Sequence, residues 1–395
     1  MTVSDPVVIV SAARTPIGWF QGDFSTIEAP HLGATAIRAA VARSGLDPAM
    51  VESVFMGCVL SAGLRQNPAR QAAYYGGLPF SVPALSVNKL CGSGMMAMGL
   101  GYDSLLAGSA GLVVAGGQES MTNAPYLIKK ARSGYRLGHG EIYDHMFYDG
   151  LEDAYEPGQL MGNFAELTVR QYGFTREQQD NYAIKTLERA RKAVESGAFD
   201  AEIVPVTVKT RKGELLIKHD ENPLKADPEK IPTLKAAFGK DGTITPASSS
   251  GISDGAAALV MTRRTQAEKL GLPVLATVRG YAVHSMAPRD FTIAPVPAME
   301  KLLRQVNWRV GDIDLFEVNE AFAVTAMVAQ KELGIPDERL NVNGGACALG
   351  HPVGATGARL ITTLIHALKA RDQHRGVASA CIGGGEAIAM AVELP

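Results

Sequence analysis

The sequence predicts an α/β protein made of two duplicated halves with a loop-rich segment inserted between them, and three observations carry that reading. Three motif pairs recur in the same order along the chain. Apolar runs such as "VVIV" and "LVVAGG" show no polar alternation, the pattern of strands buried on both faces. Between the repeats, residues 121–245 change texture and become aromatic, charged and loop-like.

Taken in order, "VVIV" is the first strand, and "LDPAMVESVFMGCVL" leads from a polar segment into a second strand at Phe55. The late stretch "WRVGDIDLFEVNEAF" repeats that layout at Phe316. Next, "PALSVNKLCGSGMMAMGLGYDSLLAG" reads as strand, glycine turn and helix, and "RLNVNGGACALGHPVGATGARLITTLIHALKA" echoes it, pairing Asn88 with Asn343. The third match sets "AGLVVAGGQES" against "GVASACIGGGEA" and pairs Gly116 with Gly383. Strand-loop-helix units are widespread, so the shared order, rather than any single match, points to duplication. Inside the insertion, "TREQQDNYAIKTLERARKAVESG" is a helix, with Thr175 as N-cap, Gln178 completing a capping box and Gly197 at the C-terminal end. The lysines of "VKTRKGELLIKHDENPLKADPEK" read as a solvated face.

Composition narrows the function classes. Lys and Arg number 38 against 40 Asp and Glu, a net charge of −2, which offers no dense basic face for a nucleic acid or a membrane. No apolar stretch approaches the ~20 residues that span a bilayer. The start, "MTVSDPVVIVSAARTP", lacks the basic leader and apolar core of a secretory signal, so a cytoplasmic location is expected. Four cysteines, Cys58, Cys91, Cys347 and Cys381, are too few to staple 395 residues and are expected as thiols. The 42 glycines exceed the usual ~7% and bunch in short loops, where backbones approach closely.

The chemistry concentrates in those loops. Cys91 follows the strand "ALSV" and sits between Lys89–Leu90 and the glycines Gly92 and Gly94, near the amides that open a helix. Such amides stabilise a thiolate, and a glycine-flanked turn pushes a nucleophile outward. Taken alone, Cys91 fits a buried structural thiol as well as a nucleophile. The repeat adds weight, because the matching turn carries His351 and the last strand ends in Cys381. If the halves pack about a pseudo-two-fold axis, these strand ends converge on one cleft. A metal site at Cys347 and His351 is the rival reading, but no C-x-x-C pair or second cluster completes four ligands, and no metal is expected. "GSGMMAMG" fails the dinucleotide pattern G-x-G-x-x-G, so hydride chemistry is not supported.

At "NKLCGSG", "SSGISDGAAA", "EVNEAF", "NGGACALGHPVGATGAR" and "CIGGG" the sequence resembles the thiolase family, and within it the short-chain acetyl-CoA acetyltransferases. That resemblance implies a five-layered αβαβα fold. It divides the chain into an N-terminal half (1–120 plus 246–270), an inserted loop domain (121–245) that holds coenzyme A and makes tetramer contacts, and a C-terminal half (271–395). It also implies a reversible condensation of two acetyl-CoA to acetoacetyl-CoA plus coenzyme A, through an acetyl-cysteine, by a homotetramer. By the same likeness, Cys91 is the nucleophile, His351 takes its proton, and Cys381 shuttles a proton at the second acetyl-CoA. Two oxyanion holes are implied, one from His351 and a water held by Asn319, the other from the N–H groups of Cys91 and Gly383. The pantetheine arm and its acyl end pass Met161, Phe238, Ser250, Ala321 and Phe322, and Lys225 joins the coenzyme contacts. No cofactor is implied, coenzyme A being substrate or product. Departures are visible: Leu160 stands where many bacterial relatives carry histidine, Leu224 stands where they carry arginine, and "FTIAPVP" from Phe291 is more like mitochondrial-type enzymes, some of which respond to potassium.

Overall fold

The computed structural model describes residues 5–211 and 213–395; residues 1–4, at the start of the expected N-terminal half, and Lys212, in the charged segment, lie outside the described residues. Nine strands form the frame: β1 (Val7–Arg14), β2 (Ser53–Gly57), β3 (Ala84–Val87), β4 (Leu112–Ser120), β5 (Ser253–Arg263), β6 (Ala276–Ser285), β7 (Leu315–Val318), β8 (Arg375–Ile382) and β9 (Glu386–Glu393). Eight helices matter here: α1 (Ala29–Ser44), α2 (Pro68–Tyr75), α3 (Ser93–Ala107), α4 (Met161–Tyr172), α5 (Arg176–Glu195), α6 (Pro295–Val306), α7 (Ala323–Leu333) and α8 (Val353–Ala370).

Strand order displays the duplication. The first half runs β1-β5-β4-β2-β3, antiparallel through β1, β5 and β4, then parallel through β2 and β3. The second half runs β6-β9-β8-β7 with the same change from antiparallel to parallel, and a parallel bridge from Phe316 to Leu340 stands in for the fifth strand. The two sheets join edge to edge through Val8–Thr277 and Ile9–Ala276. The apolar runs are therefore buried on both faces as expected, although most of their ladders are antiparallel; helix layers on each side, not strand direction, cause the burial.

Alternation along β4 shows the layers. Leu112 and Val114 pack into a core with α1 and α2, whereas Val113 and Ala115 face α3 and α8. On β8, Ala378, Ala380 and Ile382 face that same central layer, while Val377 and Cys381 turn toward α6 and α7. The sequence of layers is helix, sheet, helix, sheet, helix, five in all.

Ladder register tests the motif pairing. Phe55 lies opposite Leu85 and Phe316 opposite Leu340, the spacing that pairs Asn88 with Asn343. The pairing of Gly116 with Gly383 is corrected: Met56 lies opposite Gly116 and Glu317 opposite Ala378, so the counterpart of Gly116 is Ala378. The two glycine runs serve different ends. A Cβ on Gly116 or Gly117 would collide with the carbonyls of Ala257 and Gly354, whereas Gly384 and Gly385 take φ of +83° and +88° in the turn after β8.

The insertion holds α4 and α5. Thr175 and Gln178 form the expected reciprocal capping box on α5, and Gly197 follows its end with φ +73°.

Candidate active site

The two central helices bring the loops together. A Cβ on Gly94, in the first turn of α3, would lie 2.9 Å from the Ala358 nitrogen, and one on Gly357 would lie 2.3 Å from the Met95 nitrogen. The helices therefore touch backbone to backbone near their first turns, a contact only glycine permits. Cys91 stands three residues before Gly94 and His351 three before Gly354, so both arrive at the same end of the crossing.

A cleft of about 190 Å³ opens there, and Cys91, His351, Gly383, Met161, Phe238, Ser250, Ala321 and Phe322 all line it. Its lining is mostly apolar. Phe322 meets Phe238 and Phe291 edge-on, with centroids 5.8 and 6.2 Å apart. The Ser250 N–H donates to the Ala321 carbonyl at 2.9 Å, fixing one wall to the other.

Leu90 holds φ of +45°, an uncommon conformation for a branched residue, in the tight turn that presents Cys91. The Ser93 hydroxyl braces that turn, accepting from the Lys89 N–H at 2.8 Å and donating to the Leu90 carbonyl at 2.7 Å. Cys91 keeps part of its surface open to the cleft. Burial nevertheless pushes its thiol up to about 11; the Gly383 N–H and its own N–H act the other way, and the charge of Glu119 adds to the rise.

His351 is buried, and burial holds its imidazole down to about 3, helped by the Arg359 guanidinium. Its Nδ1 lies 2.6 Å from Thr356 Oγ1, whose hydroxyl donates to the Pro352 carbonyl at 3.0 Å. With that proton committed, Nδ1–H is the donor and Nε2 carries the free lone pair, an assignment from the hydrogen-bond network. Asn319 Nδ2 stands 3.5 Å from Nε2, a weak contact, and Asn319 Oδ1 is buried without a hydrogen-bond partner among the described residues.

Cys381 lies behind the cleft surface, fully buried, with its sulfur 4.0 Å from Thr325 Oγ1. Burial and then the charge of Cys91 push its thiol far up, while the Thr325 hydroxyl acts the other way. A Cβ on Gly383 would meet Leu90 Cδ1 and Met161 Sδ, each at 3.2 Å, so the glycine leaves just enough room beside the thiol.

Lys225 is not part of this cleft. It pairs with Glu221 at 2.7 Å and lines a neighbouring depression with Trp19, Lys230, Leu234 and Cys347. Cys347 hydrogen-bonds the Glu320 carbonyl at 3.6 Å. Sequence reasoning missed Thr356, Thr325 and Glu119, whose roles come from contacts across the fold; it also missed the wall of Met121, Phe147, Leu151 and Val353.

Comparisons with known proteins cover nearly the whole chain. The family models described as thiolase N-terminal domain and thiolase C-terminal domain match residues 7–265 and 272–394. An acetyl-CoA acetyltransferase of Cupriavidus necator is 47% identical over 389 residues, covering 98% of this chain and 99% of that protein. One from Escherichia coli is 49% identical over 388 residues, covering 98% of each. The crystal structure of the Bacillus anthracis acetyl-CoA acetyltransferase superposes with a TM-score of 0.96 at 41% identity, covering 99% of each chain.

Proposed function

The chain belongs to the thiolase family, and from that premise we propose that it is an acetyl-CoA C-acetyltransferase, condensing two acetyl-CoA to acetoacetyl-CoA and coenzyme A or running the reverse thiolysis. The observation that carries this reading is the shared cleft of Cys91, His351 and Gly383, with Gly383 two residues beyond Cys381 at the end of β8.

In the first half-reaction, Nε2 of neutral His351 takes the Cys91 proton as the sulfur attacks the thioester carbon. The tetrahedral intermediate collapses, His351 returns the proton to the departing coenzyme A sulfur, and an acetyl-Cys91 remains. Charge on the thioester oxygen calls for preorganised donors. His351 with a water on Asn319, and the N–H groups of Cys91 and Gly383, are proposed for the two half-reactions.

In the second half-reaction, Cys381 acts as thiolate on the methyl group of the next acetyl-CoA. The enolate carbon attacks the acetyl-Cys91 carbonyl, the carbon–carbon bond forms, and the carbon–sulfur bond breaks. Cys381 keeps the proton taken from the methyl group, and the thiol proton it first gave up to neutral His351 passes to the departing Cys91 sulfur, restoring both resting thiols.

Coenzyme A is a substrate here, held along Met161, Phe238, Ser250, Ala321 and Phe322, with Lys225 toward its outer end. The inserted residues 121–245 are proposed to assemble a homotetramer in the cytoplasm. Exposed Tyr126, Ile128, Leu137 and Ile142 support that role, and among the described residues no helix is long and apolar enough to cross a membrane. Light scattering on the purified protein tests the assembly. Comparing rates in potassium and sodium salts tests the potassium response suggested by the loop from Phe291.

The deciding assay mixes the protein with acetoacetyl-CoA and coenzyme A. Loss of the enolate absorbance, abolished by Cys91→Ser, supports the proposal; no loss with wild-type protein overturns it. Apolar Leu160, Met121, Phe147 and Leu151 in the cleft wall favour a second reading, a thiolase acting on longer 3-ketoacyl chains. Rates across chain length separate the two.

A further inference from the structure

The sequence run "GGQES" at the end of β4 has no part in the chemistry above, yet its Glu119 is fully buried and uses both carboxylate oxygens. Oε1 accepts from the Leu60 N–H at 3.1 Å and from the Cys58 thiol at 3.8 Å. Oε2 accepts from the Val59 N–H at 3.0 Å and from the Gly354 N–H at 2.8 Å. The donors come from both halves of the molecule: Val59 and Leu60 from the loop after β2, Gly354 from the first turn of α8.

What those donors carry gives the arrangement its meaning. Val59, Leu60, Met121 and Val353 form a small apolar cluster against which Leu90, Cys91, Leu151 and Ile252 pack. His351 lies three residues before Gly354. One carboxylate therefore ties the wall behind the thiol to the helix start that bears the imidazole. Gly354 belongs to the same device, since a Cβ there would lie 2.6 Å from Oε2 and push the N–H away. A neutral amide cannot replace the group, because it offers a single acceptor oxygen to donors that need two.

We propose that Glu119 is a positioning residue for acyl transfer, fixing the Cys91 turn against the His351 loop across the boundary between the halves. The turnover part of this proposal rests on the thiolase reading. Its effect on the thiol does not.

Electrostatics supply an independent readout. Burial pushes the Glu119 carboxyl up to about 7, opposed by its three backbone donors, and Asp254 on β5 adds to the rise. The Cys58 thiol also faces it and is itself pushed up. Around Cys91 the titratable groups are Glu119 from β4, Cys381 from β8 and His351 before α8. Above the point where Glu119 ionises, its charge opposes the Cys91 thiolate.

The test uses Glu119→Gln and Glu119→Asp in the full chain. It measures thiolysis of acetoacetyl-CoA and, separately, iodoacetamide alkylation of Cys91 against pH, read by mass spectrometry. Expected for Glu119→Gln is a kcat roughly a hundredfold lower, KM changed less than about threefold, and an alkylation midpoint moved to lower pH. Glu119→Asp keeps the charge but is one methylene too short to reach both loops; kcat falls comparably and the alkylation midpoint stays. Wild-type kcat in either folded variant overturns the proposal. So does an unmoved alkylation midpoint in Glu119→Gln, or failure of both variants to fold, which makes the carboxylate a purely structural tie. If wild-type protein does not turn over acetoacetyl-CoA, the thiolase reading fails, and the alkylation midpoints still decide whether Glu119 acts on Cys91.

Discussion

Cys91 and Cys381 carry the same thiol in different surroundings, and the surroundings divide the work. Cys91 opens to the cleft and faces two backbone N–H groups, whereas Cys381 is sealed behind it beside Thr325. Cys381→Ala is therefore expected to accept acetyl on Cys91 normally but to lose condensation by at least a hundredfold, of the order that acid–base catalysis supplies; quenched-flow acylation and steady-state rates measure the two separately. His351 held near 3 stays neutral throughout the working range, and Cys91 near 11 stays a thiol. The rate of Cys91 alkylation should then rise with pH toward about 11 with no inflection near 6.5, and an inflection there would show a charged imidazole in the resting enzyme. Thr356→Val removes the acceptor that fixes the tautomer and should cost roughly a hundredfold in kcat with little change in KM. At this scale Cys91, His351 and Cys381 were legible because glycine turns and the repeat marked them. Thr356 and Glu119 were not, because a supporting residue shows no local pattern and is identified only by the atoms it meets.

Elements set the distances that these residues require. α3 and α8 touch through Gly94 and Gly357, and Gly357→Ala would drive a methyl against the Met95 backbone, a rigid neighbour. The substitution is expected to destabilise by about 1–3 kcal/mol and to lower kcat by shifting Cys91 relative to His351, measured by denaturant midpoint and turnover. The α5 cap is a contrasting case. Thr175→Ala should cost about 1 kcal/mol and leave turnover unchanged, since neither Thr175 nor Gln178 lines the cleft. The capping box was readable because it is a contact between residues three apart. The pairing of Gly116 with Gly383 failed for the opposite reason: glycine content matched while register did not. One run lies inside a strand against a neighbour's carbonyl and the other closes a turn.

Across the whole molecule, duplication explains both the layers and the site, since two copies of one sheet stacked on a shared helix pair leave one crossing where the loops meet. The order of repeats and the unbroken apolar strands made that architecture readable. The antiparallel ladders were not, because burial on both faces looks the same for either direction. The site is also set among buried carboxyls. Burial raises Glu119 to about 7 and Glu317 to about 8, so between pH 7 and 8 the folded chain binds more protons than the unfolded one. Stability should fall over that window, with Tm lower at pH 8 than at pH 7. Buried His351 and His366, held below their ordinary value, act in the opposite direction mainly below about 6.5. The central claim, that the two halves converge to store an acyl group on one thiol, is tested most directly by peptide mass spectrometry after mixing with acetyl-CoA. A single acetyl on Cys91, retained in Cys381→Ala and released by added coenzyme A, is the predicted result; no adduct, or one carried elsewhere, would contradict it.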